Sequence, residues 1–228
     1  FELIIKINKR IDGVIHFAGL KSVANSIINP LLYWKTNVVN TLNLLEIMKE
    51  YDCKNLVFSS SATLYEQKNN VLLKEDAKLG PINPYGNTKL AIETLLKDLF
   101  KSGSKSWKVA CLRYFNPIGA HDSGLIGEYP VGVPNNIFPL ITNTALGLQK
   151  ELKIFGNDWP TKDGTPVRDF IHVMDLAESH IDILEYLILN QSTFLTINIG
   201  TGLGTSVLDL IKTFEKINKV RVNYKFAN

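Results

Sequence analysis

Ser61 closes the run Phe58-Ser59-Ser60-Ser61, and further along the chain Tyr85 opens the segment Tyr85-Gly86-Asn87-Thr88-Lys89. On a helix, the four-residue step from Tyr85 to Lys89 puts both side chains on one face, about 6 Å apart at the backbone. The ammonium then favours the phenolate. A phenol with an ordinary pKa near 10 needs a drop of about three units, roughly 4 kcal/mol, to act as a base at neutral pH. A nearby lysine and an oxidised nicotinamide ring can supply that drop together. Ser61, at the carboxyl end of a strand, stands where open α/β sheets bind ligands, and its hydroxyl can hold the reacting oxygen. The three residues therefore read as a catalytic set that moves a proton on a sugar or alcohol hydroxyl while a nicotinamide takes the hydride. The Tyr-to-Lys spacing alone is weak in a chain with eight tyrosines, so the surrounding elements must carry the argument.

Those elements alternate. Val14 to Ala18 is a short apolar run between glycines and reads as a buried strand. Leu31 to Tyr51 is helix-patterned, Asn55 to Ser60 returns to strand, and residues 62–84 are loop-like and polar. Tyr85 to Lys101 is helical, with Ile92, Leu95, Leu96 and Leu99 on one side, and Trp107 to Phe115 is strand again. After Asn116-Pro117 comes a loop rich in Gly, Pro and Asn, reaching to about Asn136. A helix is expected at Ile137 to Leu148, strands at Glu151 to Phe155 and Asp169 to Val173, a helix at Met174 to Leu189, a strand at Leu195 to Ile199 and a helix at Ser206 to Ile217. Strands alternating with helices imply an α/β fold with a parallel sheet. The cluster Gly200-Thr201-Gly202-Leu203-Gly204 reads as a strand-to-helix turn.

Composition bounds the class. At 228 residues, 45% hydrophobic and 21% charged, the chain can bury a substantial core. No stretch approaches the roughly 18 uninterrupted apolar residues of a membrane span, and no export leader is read at the front. The two cysteines, Cys53 and Cys111, read as core thiols, which fits a reducing, cytoplasmic setting. A net charge of +3 with scattered lysines does not suggest nucleic-acid binding. The spacing of Asp169, His172 and His180 does not complete a metal site, and His16 reads as a satisfied core histidine.

Several segments together resemble a known family. They are His16-Phe17-Ala18-Gly19-Leu20-Lys21, Ser59-Ser60-Ser61-Ala62-Thr63, Tyr85-Gly86-Asn87-Thr88-Lys89, Arg113 through His121, Gly132-Val133-Pro134-Asn135-Asn136, and Ile154-Phe155-Gly156-Asn157 through Arg168-Asp169-Phe170-Ile171-His172-Val173. The chain resembles the extended short-chain dehydrogenases and, within them, the UDP-glucose 4-epimerases. The resemblance implies a Rossmann-like, doubly wound parallel sheet with a smaller C-terminal α/β substrate lobe. Residues 1–117, with 170–200 returning, would form the dinucleotide-binding domain, and 118–169 with 201–228 the substrate lobe. It implies NAD as cofactor, contacted by Phe17, Ala18, Gly19, Leu20, Lys21, Ser59, Ser61, Tyr85, Lys89 and Phe115. It also implies UDP-galactose and UDP-glucose as substrates, held by Lys21, Ser61, Tyr85, Asn116, Asn135, Asn136, Phe155 and Arg168. A guanidinium suits that work because it grips phosphate oxygens in pairs. A homodimer through the helices at Leu31 to Tyr51 and Tyr85 to Lys101 is the family's expectation.

The chain departs from the pattern in places. It contains no Gly-x-x-Gly-x-x-Gly turn, and by comparison with the family it reads as a fragment lacking both ends, whose own NAD binding would be poor. Glu66 stands where a glycine commonly follows Tyr65, and Thr36 where an asparagine can stand. A nucleotide-sugar 4,6-dehydratase would need an Asp-Glu pair after Ser61, where this chain has Ala62-Thr63. Another nucleotide-sugar epimerase, or a non-catalytic nucleotide-binding protein, remains as an alternative.

Overall fold

The computed structural model describes residues 2–8, 10–66, 72–102, 106–132 and 134–227. Val133 and residues 67–71 of the expected loop lie outside the described residues. In chain order the elements are α1 (Glu2–Asn8), β1 (Val14–His16), α2 (Val23–Ile28), α3 (Pro30–Tyr33), a π-helical turn (Trp34–Val39), α4 (Asn40–Glu50), β2 (Asn55–Ser59), a 3-10 turn (Ala62–Leu64), α5 (Pro84–Lys101), β3 (Lys108–Tyr114) and β4 (Asn116–Ile118). They continue with α6 (Ile137–Ala145), β5 (Leu152–Phe155), β6 (Val167–His172), α7 (Val173–Leu189), β7 (Phe194–Ile199), β8 (Gly204–Ser206), α8 (Val207–Asn218) and β9 (Tyr224–Ala227). The chain divides into two compact units. Unit 1 is Phe1–Tyr114 with Ala177–Ile199, and unit 2 is Phe115–Leu176 with Gly200–Asn228. The sequence had set these divisions at 117, 170 and 200.

Unit 1 is built on a four-stranded sheet in the order β1-β2-β3-β7, all pairs parallel. Because side chains alternate along a strand, each central strand feeds two cores. Leu56, Phe58, Val109 and Cys111 pack with Leu45 and Met48 of α4 and Ile92 and Leu96 of α5. Val57, Ala110 and Leu112 point the other way, onto Leu187 and Ile183 of α7. Helices thus cover both faces, and strands buried on both faces must be apolar throughout, which is why β2 and β3 read as continuous hydrophobic runs. Truncating a residue such as Leu112, which is fully buried, to alanine would cost about 2–5 kcal/mol.

The long helix expected over 31–51 forms with an interruption. It runs from Pro30, whose fixed φ suits a first helical turn, to Glu50, but Trp34–Val39 is π-helical, with Asn40 N–H reaching back to Lys35 O. The strand expected to reach Ala18 stops at His16, where the chain turns toward solvent at Phe17. The helix α2 and the strands β4, β8 and β9 carry too few residues to show a period and were not expected.

In unit 2, β6 pairs in parallel with β4 and antiparallel with β8, while β5 pairs in parallel with β9. Its core gathers Ile141 of α6, Leu152 and Ile154 of β5, and Leu208, Leu210 and Ile211 of α8. The glycine cluster at 200–204 is part turn and part strand, since Gly204 begins β8. Asp169 holds this turn, accepting hydrogen bonds from Thr201 N, Thr201 Oγ1 and Gly202 N.

Candidate active site

Helix α5 starts under tight control. Asn83 caps it, its side chain accepting from Gly86 N at 2.9 Å, and Pro84 occupies the first turn. Gly86 has no alternative: a Cβ there would lie 2.8 Å from Pro81 Cβ and 3.1 Å from Thr63 O. The head of α5 therefore packs directly against the 3-10 turn that follows Ser61, and the sequence-predicted trio Ser61, Tyr85 and Lys89 comes together in unit 1.

All three are buried, at 7%, 6% and 6% exposure. Ser61 Oγ accepts from Thr63 N at 3.2 Å and from Thr63 Oγ1 at 2.9 Å, so its own proton is left to donate. Lys89 Nζ donates to Ser59 O at 2.7 Å and lies 4.7 Å from the Phe58 ring centroid and 5.9 Å from that of Tyr85. One of its three donors is spent on Ser59. The Ser59 hydroxyl, assigned to the cofactor in the sequence, is 1% exposed and bonded to Tyr114 Oη at 2.8 Å.

The electrostatics of the chain alone cover one part of the expected pairing of Lys89 with a nicotinamide ring. Burial pushes the Tyr85 phenol well above its ordinary value, with Tyr114 adding to the rise and the Ser61 hydroxyl pulling it down. The chain by itself therefore does not supply the lowered phenol. Burial also lowers the Lys89 ammonium to about 8, against the upward pull of Glu93. His16 falls to about 4, through burial and then the charge of Lys89. It is neutral at pH 7, and since the Thr41 hydroxyl donates to Asn37 O, His16 Nε2 must donate to Thr41 at 2.8 Å.

The loop 17–21 lies mostly at the surface, with Phe17 55% exposed and its ring 4.6 Å from that of His180. What fixes this loop is Asn37, which sequence reasoning missed. From the π-helical turn, and 2% exposed, Asn37 accepts from Leu20 N at 2.7 Å and donates to Leu20 O at 3.0 Å. It also donates to Thr88 Oγ1 at 3.1 Å, and Thr88 in turn donates to Tyr85 O. A single side chain thus ties the loop to the helix that carries Tyr85. A Cβ on Gly19 would stand 3.1 Å from Asn37 Oδ1, so that contact leaves little room for a larger residue. Nothing in the sequence singled it out, since Lys35, Thr36, Asn40 and Thr41 are polar neighbours in the same helical stretch.

Unit 2 brings together five of the residues assigned to substrate. Asn116, Asn135, Asn136, Phe155 and Arg168 line one cleft of about 330 Å3. Lys153 lines it as well, and it too was missed: in β5 the alternation buries Leu152 and Ile154 and turns Lys153 and Phe155 outward together. Asn136 Nδ2 donates to Glu128 Oε1, and Arg168 Nη1 to Val167 O. Phe115, half-buried in the same unit, stands against Gly200. A larger hollow of about 640 Å3 in unit 2 is lined chiefly by apolar groups, with Glu128 its only charged residue, and none of the predicted residues reaches it. Among the described residues no three His, Cys, Asp or Glu side chains gather to hold a metal, and no helix is long and apolar enough to cross a membrane.

Comparison with known proteins gives this arrangement its context. Residues 2–200 match the model of the NAD dependent epimerase/dehydratase family. The chain is 51% identical over 213 residues to UDP-glucose 4-epimerase 2 of Arabidopsis thaliana, covering 93% of this chain and 61% of that protein. It is 51% identical over 218 residues to UDP-glucose 4-epimerase of Bacillus subtilis, covering 96% of this chain and 64% of that one. The solved UDP-glucose 4-epimerase of Bifidobacterium longum, in complex with NAD+ and UDP, superposes with a TM-score of 0.91 at 42% identity, covering 99% of this chain and 67% of that one. That of Stenotrophomonas maltophila, with bound NAD and formylated UDP-arabinopyranose, gives 0.94 at 45% identity over 99% of this chain and 66% of that one. The fold is the α/β, Rossmann-like fold of these structures. The chain spans 61% and 64% of the length of these two curated relatives.

Proposed function

As the chain belongs to the NAD dependent epimerase/dehydratase family, we propose that the protein is an NAD-dependent UDP-hexose 4-epimerase, an isomerase that interconverts UDP-galactose and UDP-glucose. The observation that carries this reading is the Ser61 hydroxyl, facing a buried Tyr85 whose ring centroid lies 5.9 Å from the Lys89 ammonium. Tyr85 takes the proton from the sugar 4-hydroxyl as C4 is oxidised, giving a 4-keto sugar. When the ketone has turned over and C4 is reduced from its opposite face, Tyr85 returns the proton. The 4-hydroxyl is inverted with no net redox change.

NAD, when bound, supplies a reversible hydride acceptor and a positive ring near the phenol. The residues present fit its nicotinamide and ribose end. Lys89 has donors to spare for a ribose hydroxyl, and Phe17 to Lys21, pinned by Asn37, offer exposed backbone and an aromatic face. Phe115 joins them in this reading. No Gly-x-x-Gly-x-x-Gly turn is present, so the residues that would cradle a pyrophosphate are not among these. Because burial and Tyr114 raise the phenol, the Lys89 ammonium and the positive ring of a bound cofactor would together have to bring Tyr85 within reach of neutral pH.

Arg168 and Lys153 provide the positive charge for a diphosphate, Asn116, Asn135 and Asn136 provide amide contacts, and Phe155, 65% exposed, offers a face for uracil. Lys21 stands at the end of the exposed loop as a further substrate contact. Ala62 and Thr63 carry no carboxyl group, which favours epimerisation over dehydration. Exposed Leu31, Leu32, Leu42 and Ile47 within the stretch from Leu31 to Tyr51 suit pairing with a second copy, and two free, buried cysteines suit the cytoplasm. The direct test is conversion of UDP-galactose to UDP-glucose with NAD by the full natural polypeptide. Turnover is expected, and its absence with every UDP-hexose tried would overturn the assignment.

A further inference from the structure

The three consecutive serines at the end of β2 each have a separate partner on a neighbouring element. The carbonyl of Ser59 accepts from Lys89, and Ser61 faces Tyr85. Ser60, to which the chemistry gives no part, is fully buried and donates from Oγ to Glu93 Oε1 at 2.5 Å. Glu93 lies one turn beyond Lys89 and two beyond Tyr85, on the same buried face of α5. Its carboxylate is gripped by Arg113 at the end of β3: Nη2 donates to Oε2 at 2.6 Å, and Nε to Oε1 at 3.0 Å and to Oε2 at 3.2 Å. The two side chains are 5% and 7% exposed. Arg113 Nη1 reaches onward to Tyr65 Oη at 3.0 Å and to Glu75 O, and Tyr65 donates to Asn198 of β7.

An ion pair buried this deeply is poor evidence of stabilisation, because well-packed apolar side chains of similar volume often serve as well or better. Apolar side chains cannot, however, hold a serine hydroxyl. The network joins the turn that presents Ser61, the helix that presents Tyr85 and Lys89, and the end of β3 through one fixed carboxylate.

We infer that Glu93 is a positioning residue for the proton chemistry: clamped by Arg113, it fixes Ser60 and so sets where the adjoining Ser61 hydroxyl stands relative to Tyr85 on its own helix. The inference rests on the epimerase reading for its kinetic consequence and on the hydrogen-bond geometry for its structural one. A displacement of about 1 Å at a reacting group can cost on the order of a hundredfold in rate, so a loosened Ser61 acts on turnover and leaves the hold on the nucleotide unchanged.

The test uses the full natural polypeptide with NAD and two variants. Ser60→Ala removes one hydrogen bond and leaves the ion pair whole. The double change Glu93→Leu with Arg113→Leu replaces the pair by apolar groups, so that neither member is left buried without the other; it also removes the upward pull of Glu93 on Lys89, which Ser60→Ala leaves in place. In both, kcat for UDP-galactose is expected to fall about tenfold, with KM within about twofold of the parent. Amide exchange at Thr63, Leu64 and Tyr65 is expected to speed up in the free protein. A purely structural pair predicts that the double variant, if it melts at the parent's temperature, also turns over like the parent, and that result would overturn the inference. Should the double variant fail to fold, Ser60→Ala decides: kcat within about twofold of the parent, or unchanged exchange over Thr63 to Tyr65, sinks it. Should the parent itself leave UDP-galactose untouched, the epimerase reading falls, and the exchange measurement alone decides whether Glu93 holds the turn.

Discussion

The two units carry the polar groups proposed to act in them in opposite ways. In unit 1, Ser61, Tyr85, Lys89, Glu93 and Arg113 are all between 4% and 7% exposed, and Lys89, Glu93 and Arg113 are each held by hydrogen bonds to other elements. In unit 2, Asn116, Asn135, Asn136 and Arg168 stand exposed around a cleft, and Asn136 and Arg168 donate only locally, to Glu128 and Val167. A group that transfers a proton must keep one position in a low-dielectric setting, because its strength depends on what surrounds it. A group that greets a charged ligand does better hydrated, since only arrival of the ligand repays its desolvation. In the proposed reading, burial marks the chemistry and exposure marks the recognition.

That contrast can be broken by mutation. Tyr85→Phe should lower turnover by about a thousandfold, the range of a lost general acid–base group, while the melting temperature and affinity for UDP stay those of the parent. Loss of UDP binding in the same variant would mean that unit 1 also recognises the nucleotide. Arg168→Ala is expected to do the reverse. It should weaken UDP binding by about 10- to 100-fold, the worth of a hydrogen bond to a charged group, with kcat changed far less, as measured by calorimetry beside kinetics.

Asn37→Ala sharpens the picture inside unit 1. It frees both bonds to Leu20 and should weaken NAD binding by about tenfold through the loop 17–21, detectable by cofactor fluorescence titration. The smallest effect is one of pH. The Lys89 ammonium, the form that favours the phenolate, titrates at about 8, so its charged fraction falls as pH rises through that value. Turnover should therefore decline with a midpoint near pH 8 on the alkaline side, and a limb that waits until pH 10 would show that burial does not tune this lysine.

Much of this was legible from sequence, for a physical reason. The strands β2 and β3 are buried on both faces, which forces uninterrupted apolar runs, and α5 keeps Tyr85, Lys89, Ile92 and Leu96 on one stripe. Resemblance to a family supplied the proposed roles of Asn116, Asn135, Asn136, Phe155 and Arg168, which no periodicity could have singled out. Three things stayed hidden. The π-helical turn has no compositional mark, so Asn37 looked like an ordinary helical polar residue. Lys153 depends on the alternation of a four-residue strand, too short to register. The rise that the chain alone gives the Tyr85 phenol was hidden because spacing shows charges but not burial, and for Tyr85 burial is the largest contribution.

The return of residues 177–199 to unit 1 has a consequence for how the protein is made. Strand β3 finds its outer partner in β7, whose residues are translated only after the whole stretch from Phe115 to Leu176. At 5–20 residues per second, the ribosome leaves that edge of β3 without its partner for on the order of ten seconds. During that interval Val109 to Tyr114 offers an unpaired, apolar strand edge to any other nascent chain nearby. Slower elongation through the stretch that builds unit 2 would lengthen the exposure, so yield of soluble protein should depend on translation speed between these two strands more than on speed elsewhere.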